Sequence, residues 1–503
     1  MKIFSVKQLK DWDAYTIQNE PVKSIDLMER AATACFDWIV QNFDDEYHFK
    51  IFCGRGNNGG DGLAIARLLN SIKYNVTVFV PSSNSSGSDD FEENLKKLKK
   101  TSVDIFFLKD KQSFPEISDL DVIIDALFGT GLNKPVTGLY ADLIEFINTT
   151  DCKIISIDVP TGLYLDKSSI SEGNHAIVKA DYTLTFQNQK LAFLVAENED
   201  YIGQVFLLDI GLSNKYEEKE ETRFNYLDEK IISGIYRRRK EFSNKGNYGY
   251  ASLLSGSYGM MGAAVLSSRA CLRSGVGKLT CVTCEAGYEI IQSTVPEAMC
   301  VVSGGKYISG FSDFDNFDTL GIGPGIGKYD SHKKLLKEIF TNYKKPIVID
   351  ADALNVLSEN QNLYSLIPEN TIITPHPKEF ERLFGKTESD FQQLDLALAK
   401  AEELKIFIVL KGHHTFIATP DGKGFFNSTG NAGMATAGAG DVLTGIITGL
   451  LAQDYSSLNA CILGVYLHGL SGDIAAEKMS QEAMIAVDII ESLGEAFRKI
   501  SPE

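Results

Sequence analysis

Long apolar runs are missing from this chain. No stretch of about 18 apolar residues occurs anywhere, which excludes an expected membrane-spanning helix. The opening MKIFSVKQLKDWDAYTIQNE lacks the apolar core of a signal peptide, so the expected location is the cytoplasm. Positive charge is short as well. Forty-nine Lys and Arg stand against 67 Asp and Glu, a formal net charge of −18, which excludes general affinity for nucleic acid or anionic membrane. An anionic ligand must then be held by local devices: glycine loops, helix starts, single lysines or a bound cation. Cysteine is sparse, with eight scattered at positions 35, 53, 152, 271, 281, 284, 300 and 461. The one C-x-x-C pair, Cys281 and Cys284, has no second pair or spaced histidine, so reduced core thiols are expected rather than a zinc site.

What remains is ordinary globular composition, 44% apolar and 23% charged, over 503 residues, enough for two to four domains. No internal repeat relates the two halves. Residues 1–45 read as helical cover, with apolar residues at helical spacing from Leu27 to Val40. FKIFCGRGNNGGDGLAIARLLN then runs from an apolar strand through a glycine and asparagine turn into an amphipathic helix. That is the opening of a βαβ unit with a ligand loop, and the usual dinucleotide fingerprint is not expected in it. After strand YNVTVFVP, PSSNSSGSDD reads as a solvated loop. DLDVIIDALFGTGLNKP gives a buried strand ending at Asp125, then a second glycine loop. KIISIDVPTGL gives another strand, ending at Asp158. Three strands thus end in polar loops that a parallel sheet gathers on one edge.

Composition shifts after VFLLDIGL to the charged SNKYEEKEETRFNYLDEK, so a linker is expected over 216–227, between domains at 1–215 and 228–503. RRRK at 237–240 reads as a solvated segment on an acidic protein. Strand and helix alternate through the second half, which predicts a second α/β domain on a parallel sheet. Its strands end at dense polar points: the glycine loop 321–327, Asp350 and Asp352, TPHP at 374–377, and Lys411 with Gly412. Lys411 can approach a phosphate or stay solvated. His413 and His414 have no spaced third ligand for a metal. Residues 430–445, GNAGMATAGAGDVLTG, bring five glycines and four alanines into an apolar helical run. Small residues allow close backbone approach, and the helix start offers N–H groups to an anion. Asp441 stands where it can cap that helix or act as a base.

NNGGDG, FGTGLNKP and DVPTGL resemble the loops of the NAD(P)H-hydrate epimerase family over 1–215. The resemblance implies a Rossmann-like three-layer domain that interconverts the two epimers of hydrated NADH and NADPH. It implies substrate contacts at Asn57, Asn58, Gly59, Gly60 and Asp61, at Gly129, Thr130, Gly131, Leu132, Asn133, Lys134 and Pro135, and at Asp158, with proton handling by Asp158. It also implies potassium on Asn58, Asp125 and Thr161, the last replacing a serine common in the family.

NKGNYGY, SGSYGMMGAA, GPGIG, DADALN, TPHPKEFERL, LKGHHT and NAGMATAGAGDVLTG, in this order, resemble the ADP- or ATP-dependent NAD(P)H-hydrate dehydratases over 228–503. This implies a ribokinase-like α/β domain that phosphorylates the hydroxyl of the S hydrate so that it leaves as phosphate. Substrate contacts are implied at Ala263, Gly325, His376 and Asp441, with Asp441 catalytic. The nucleotide, ADP or ATP, falls on Lys411, Gly412, His413, His414, Thr415 and Gly440, with magnesium on its phosphates. Both resemblances imply a homo-oligomer, a tetramer, with NADH and NADPH hydrates as substrates and neither nucleic acid nor membrane as partner. The alternatives are a ribokinase-like small-molecule kinase fused to a nucleotide-binding module, and an RNA-binding scaffold.

Overall fold

The computed structural model describes residues 1–83 and 85–501; Asn84, in the expected solvated loop, and the last two residues lie outside the described residues. The chain divides into two compact units. One comprises 2–222 with 389–391; the other comprises Met1, 223–388 and 392–503.

In the first unit the apolar runs form one sheet of seven strands, all parallel. Its order is Asp104–Leu108, Asn75–Pro81, His48–Cys53, Asp121–Ala126, Lys153–Ile157, Tyr182–Phe186 and Gln204–Leu208. Strand Asp121–Ala126 is buried throughout, as a continuous apolar run in a covered parallel sheet should be. Helices Ser24–Asn42, Asn57–Ser71 and Asp89–Leu98 pack on one face through Ala32, Cys35, Leu63, Ile65 and Phe91. Helix Leu139–Asn148 covers the other through Leu143, Ile144 and Ile147. The result is three layers. Successive strands spread outward in opposite directions from the pair His48–Cys53 and Asp121–Ala126, so the topological switch point lies there. Ligands of open α/β sheets bind outside the carboxyl ends of strands at such a point.

The second unit holds strands in the order Phe224–Tyr226, Gly424–Phe426, Phe416–Ala418, Phe407–Leu410, Ile372–Ile373, Ile347–Ile349, Thr319–Ile322, Tyr250–Leu254, Lys278–Thr283 and Met299–Val302. Neighbours are parallel from Met299–Val302 as far as Phe407–Leu410, and the hairpin-like return after Lys411 is antiparallel. Residues 216–227, expected as a linker, carry regular structure instead. Helix Asn214–Lys219 ends in them, and strand Phe224–Tyr226 pairs with Gly424–Phe426, where Phe224 meets Phe416 and Phe426. Charged composition hid that strand, because only one of its faces needs to be apolar.

Helix Ala439–Ala452 lies within a hydrophobic core cluster, with Val442, Leu443, Ile446, Ile447 and Leu450 buried. Its close approach to helix Met261–Arg273 depends on glycine: a Cβ on Gly445 would stand 2.2 Å from the Ser267 carbonyl oxygen. Among the described residues no helix is long and apolar enough to cross a membrane. All eight cysteines are free thiols, including Cys281 and Cys284. Arg237 and Arg239 of the basic segment lie over the rings of Tyr455 and Tyr248.

Candidate active sites

At the switch point of the first unit, the turn after His48–Cys53 runs straight into helix Asn57–Ser71. A Cβ on Gly59 would sit 1.8 Å from the Gly54 carbonyl oxygen, so the helix start folds down onto the strand end only because residue 59 is glycine, and a Cβ on Gly54 would sit 1.8 Å from the Leu127 carbonyl oxygen. Gly54, Gly56 and Gly59 do have G-x-G-x-x-G spacing between a strand and a helix, which corrects the expectation that this turn lacks the fingerprint. The spacing itself is the signal, and it lies in the residues alone. Such a turn aims backbone N–H groups at a pyrophosphate.

Around it, the polar strand ends converge. Asp125 is fully buried and its carboxylate is saturated: Thr161 donates its hydroxyl (2.6 Å) and N–H (2.9 Å), Ser156 its hydroxyl (2.8 Å), and Leu127 its N–H (3.2 Å). Burial still pushes the Asp125 carboxyl above its usual range. The side-chain oxygen and nitrogen of Asn58 are both buried without a hydrogen-bond partner. A Cβ at Gly129 would be 3.1 Å from Asp158 Oδ2 and 3.3 Å from Asn58 Oδ1, so the second glycine loop lies directly against both residues.

Asp158 adopts a left-handed backbone with φ of 66°, uncommon for a residue with a side chain. Its N–H donates to the Leu184 carbonyl (2.7 Å), and its Oδ2 accepts from the Thr130 N–H (3.3 Å). These residues line one cavity of about 760 Å³, large enough for most of a dinucleotide. Asn57, Asn58, Asp61, Gly129, Thr130, Gly131, Leu132, Asn133, Lys134 and Asp158 all face it. Gly59, Gly60, Pro135, Asp125 and Thr161 do not line it.

Among the lining residues that escaped the sequence reading are Asp13, from helix Val6–Asn19, and Lys190. Lys190 is buried and donates to the Phe186 and Asn188 carbonyls (2.7 and 2.8 Å). Neither sits in a recognisable motif; only the fold brings them to the cavity. Burial raises Asp158, against the pull of Lys190. Burial, then Asp158 and Asp13, hold Asp61 well above the carboxylate range. Burial and Asp158 push Asp13 up to about 6. Burial lowers Lys190. Three raised carboxyls beside a buried lysine give the cavity groups that can hold and release a proton.

In the second unit, the strand ends are stitched by backbone bonds from Asp350 N–H to Ile322, Thr374 N–H to Ile349, and Lys411 N–H to Pro375. This brings Asp350, the 374–377 turn and Lys411 onto one edge. Helix Ala439–Ala452 starts there from Gly438, which is left-handed at φ of 90° and offers no side-chain cap. Asp441, inside the first turn, makes no cap bond, which removes the capping reading. Burial, reinforced by Asp350 and opposed by Lys411, pushes its carboxyl up to about 7. A Cβ on Gly440 would lie 3.5 Å from Lys411 Nζ, so the ammonium stands at the helix start.

His376 caps a different helix, Pro377–Phe384. Its Nδ1 accepts from the N–H groups of Lys378 (3.1 Å) and Glu379 (3.3 Å), while its own N–H donates to Glu379 Oε2 (2.8 Å). That leaves Nε2 as its free ring atom, 3.5 Å from Glu379 Oε1. Ala263 and Gly325 meet across the 321–327 loop: a Cβ on Gly325, left-handed at φ of 63°, would be 3.0 Å from the Ala263 Cβ. His414 Nδ1 pairs with the Asn427 carbonyl (3.0 Å), and burial lowers its pKa to about 4. Thr415 closes the 412–415 turn, its hydroxyl donating to the Gly412 carbonyl (3.0 Å). His413 lies edge-on to His414, with ring centroids 4.5 Å apart.

Two parallel α/β sheets, each carrying a glycine turn and convergent strand-end carboxylates, define a two-site α/β enzyme. Comparison with known proteins narrows the class. Residues 251–494 match the family model described as NAD(P)H-hydrate dehydratase, and residues 24–192 match YjeF-related protein N-terminus. The bifunctional NAD(P)H-hydrate repair enzyme of Thermofilum pendens is 32% identical, over 99% of this chain and 97% of that one. The Escherichia coli enzyme of the same name is 32% identical over 95% and 90%. Among solved structures, the Bacillus subtilis ADP/ATP-dependent NAD(P)H-hydrate dehydratase co-crystallized with ATP/Mg2+ superposes with a TM-score of 0.50 at 31% identity, over 55% of this chain and 99% of that one. The chain belongs to the bifunctional NAD(P)H-hydrate repair enzyme family.

Proposed function

We propose that the chain repairs hydrated NADH and NADPH in two steps, each in its own unit. The first unit equilibrates the R and S hydrates. The second dehydrates the S hydrate back to the dinucleotide at the expense of ADP or ATP. The observation that carries the reading is Asp441: a carboxyl raised to about 7, uncommitted to any cap, beside a lysine at a helix N-terminus.

Hydroxide is a poor leaving group, so the hydrate hydroxyl must first be converted. Asp441 takes the hydroxyl proton, the oxygen attacks the terminal phosphoryl group, and the shortened nucleotide departs. The ring nitrogen lone pair then expels phosphate from the carbon that bore the hydroxyl. Loss of the neighbouring C–H proton restores the double bond, and redox state is unchanged throughout. The N–H groups at 438–440 and the Lys411 ammonium face the charge that develops on the phosphoryl oxygens. Ala263, Gly325 and His376 bound the substrate, and Gly412, His413, His414 and Thr415 the nucleotide. Magnesium, when bound, neutralises phosphate charge.

In the first unit, Asp158 handles the proton moved in epimerisation, while the loops at 57–61 and 129–135 hold the substrate. Asn58, Asp125 and Thr161 fit a monovalent cation. The partnerless Asn58 amide and the full burial of Asp125 are what support potassium there. When bound, potassium supplies a fixed positive charge behind the substrate loop. We assign epimerisation to the domain read at 1–215 and dehydration to that at 228–503, with strand Phe224–Tyr226 paired to the latter, and expect a cytoplasmic homo-oligomer, a tetramer. Incubating the protein with both hydrate epimers, with and without nucleotide, tests the reading by chromatography. Nucleotide-free interconversion and nucleotide-dependent loss of the S epimer are expected. A stable phosphorylated product would instead make the second unit an ordinary kinase.

A further inference from the structure

The carboxylate of Asp350 stands at the end of Ile347–Ile349, is 1% exposed, and uses each oxygen once. Oδ1 accepts from Lys411 Nζ at 2.9 Å, and Oδ2 accepts from the Thr444 hydroxyl at 2.6 Å. Thr444 is one turn beyond Asp441 on the same helix, so Asp350 ties the lysine's strand end to the helix that carries the proposed base. Glu379 Oε2 stands 3.8 Å from the same ammonium and is held by the His376 N–H. Lys411 is therefore shared between two fixed carboxylates, with its Nζ against Gly440. A lysine without those anchors has three rotatable donors and a carboxylate next to it at Asp441, and an ion pair there would remove the base.

We propose that Asp350 is a positioning residue for the dehydration reaction: it fixes the Lys411 ammonium at the phosphoryl end of the helix and keeps it from pairing with Asp441. This rests on the reading of Asp441 as the proton acceptor. The raised Asp441 carboxyl agrees with it, since Asp350 is the second cause of that rise and Lys411 opposes it. Asp350, Lys411 and Asp352 act on the Asp441 carboxyl, while Glu379 acts on Lys411 and the buried His468 meets both the Ala439 backbone and the charge of Lys411.

The test is Asp350→Asn in the full chain, with Thr444→Val beside it. Asn keeps the shape and the Thr444 bond but loses the ion pair. Charged hydrogen bonds of this kind support an expected fall in dehydration kcat of about tenfold or more. The acid limb of the kcat profile should also move to lower pH, because both loss of a like charge and approach of Lys411 favour ionised Asp441. A merely structural role would lower activity equally at every pH. Thr444→Val, which keeps the charge, should cost a few-fold in kcat and leave the limb in place. If Asp350→Asn does not fold, Thr444→Val at wild-type kcat overturns the proposal. Wild-type kcat and limb in a folded Asp350→Asn overturn it too. Asp441→Asn run in parallel separates the readings: full dehydration there would sink the assignment of Asp441 itself, whatever Asp350 does.

Discussion

Replacing Asp441 by Asn should make the protein slower and, above neutral pH, more stable. The carboxyl titrates near 7 in the folded chain against 3.8 as its ordinary value. Because the folded value is raised, folding favours the protonated form, and the stability this confers is lost as pH climbs from about 4 through 7. A tenfold change in proton affinity corresponds to about 1.4 kcal/mol, so a carboxyl displaced this far costs on the order of 2–4 kcal/mol above pH 7, after discount for partial exposure. Asn is neutral and isosteric and escapes that cost. Thermal unfolding of Asp441→Asn should therefore occur several degrees higher than wild type at pH 8, with the two converging below pH 4. Dehydration, followed as recovery of NADH absorbance, should meanwhile fall at least about a hundredfold, the lower range for general-base assistance. Wild-type dehydration should itself rise with pH through about 7. If Asp441→Asn melts like wild type at every pH and still restores NADH at a near-normal rate, the carboxyl is neither strained by burial nor a base.

Asp158→Asn should abolish epimerisation and leave dehydration of the S hydrate intact; chromatography of the R and S hydrates reports both, and restoration by added potassium would contradict its role. Asp125→Ala should lose epimerisation through the cation site, with partial recovery at high potassium as the expected titration. Asp13→Asn removes a like charge from the cavity, so the epimerisation pH profile should move to lower pH, read from rates between pH 5 and 8. Gly59→Ala places a Cβ 1.8 Å from the Gly54 carbonyl and should destabilise the first unit by roughly 3 kcal/mol, measurable by urea unfolding. A fragment starting at Arg223 should melt higher than one starting at Asp228, because only the former keeps Phe224 against Phe416 and Phe426.

Periodicity and punctuation in the sequence determined both α/β units, the strands that end at Asp125, Asp158, Asp350 and Lys411, and the glycine turns beside them. They are local properties: alternation of apolar runs with turn residues is set within about twenty residues of chain. The G-x-G-x-x-G turn at 54–59 is equally local, legible in the residues although the expectation for this turn left it out. What only the tertiary structure decided involves residues far apart in the chain. Asp13 and Lys190 reach one cavity from elements 177 positions apart, and neither carries a motif. Strand Phe224–Tyr226 lies in a charged stretch that reads as linker, because its pairing partner is 200 residues away. Asp441 could be a cap or a base until Gly438 was seen to begin the helix. Whether a carboxyl is strained depends on how much water its neighbours exclude and which charges face it. Those neighbours, Asp350 and Lys411, arrive from two other strand ends. Residue identity supplies the chemistry, while desolvation and Coulomb interaction, both fixed by packing, decide what that chemistry does.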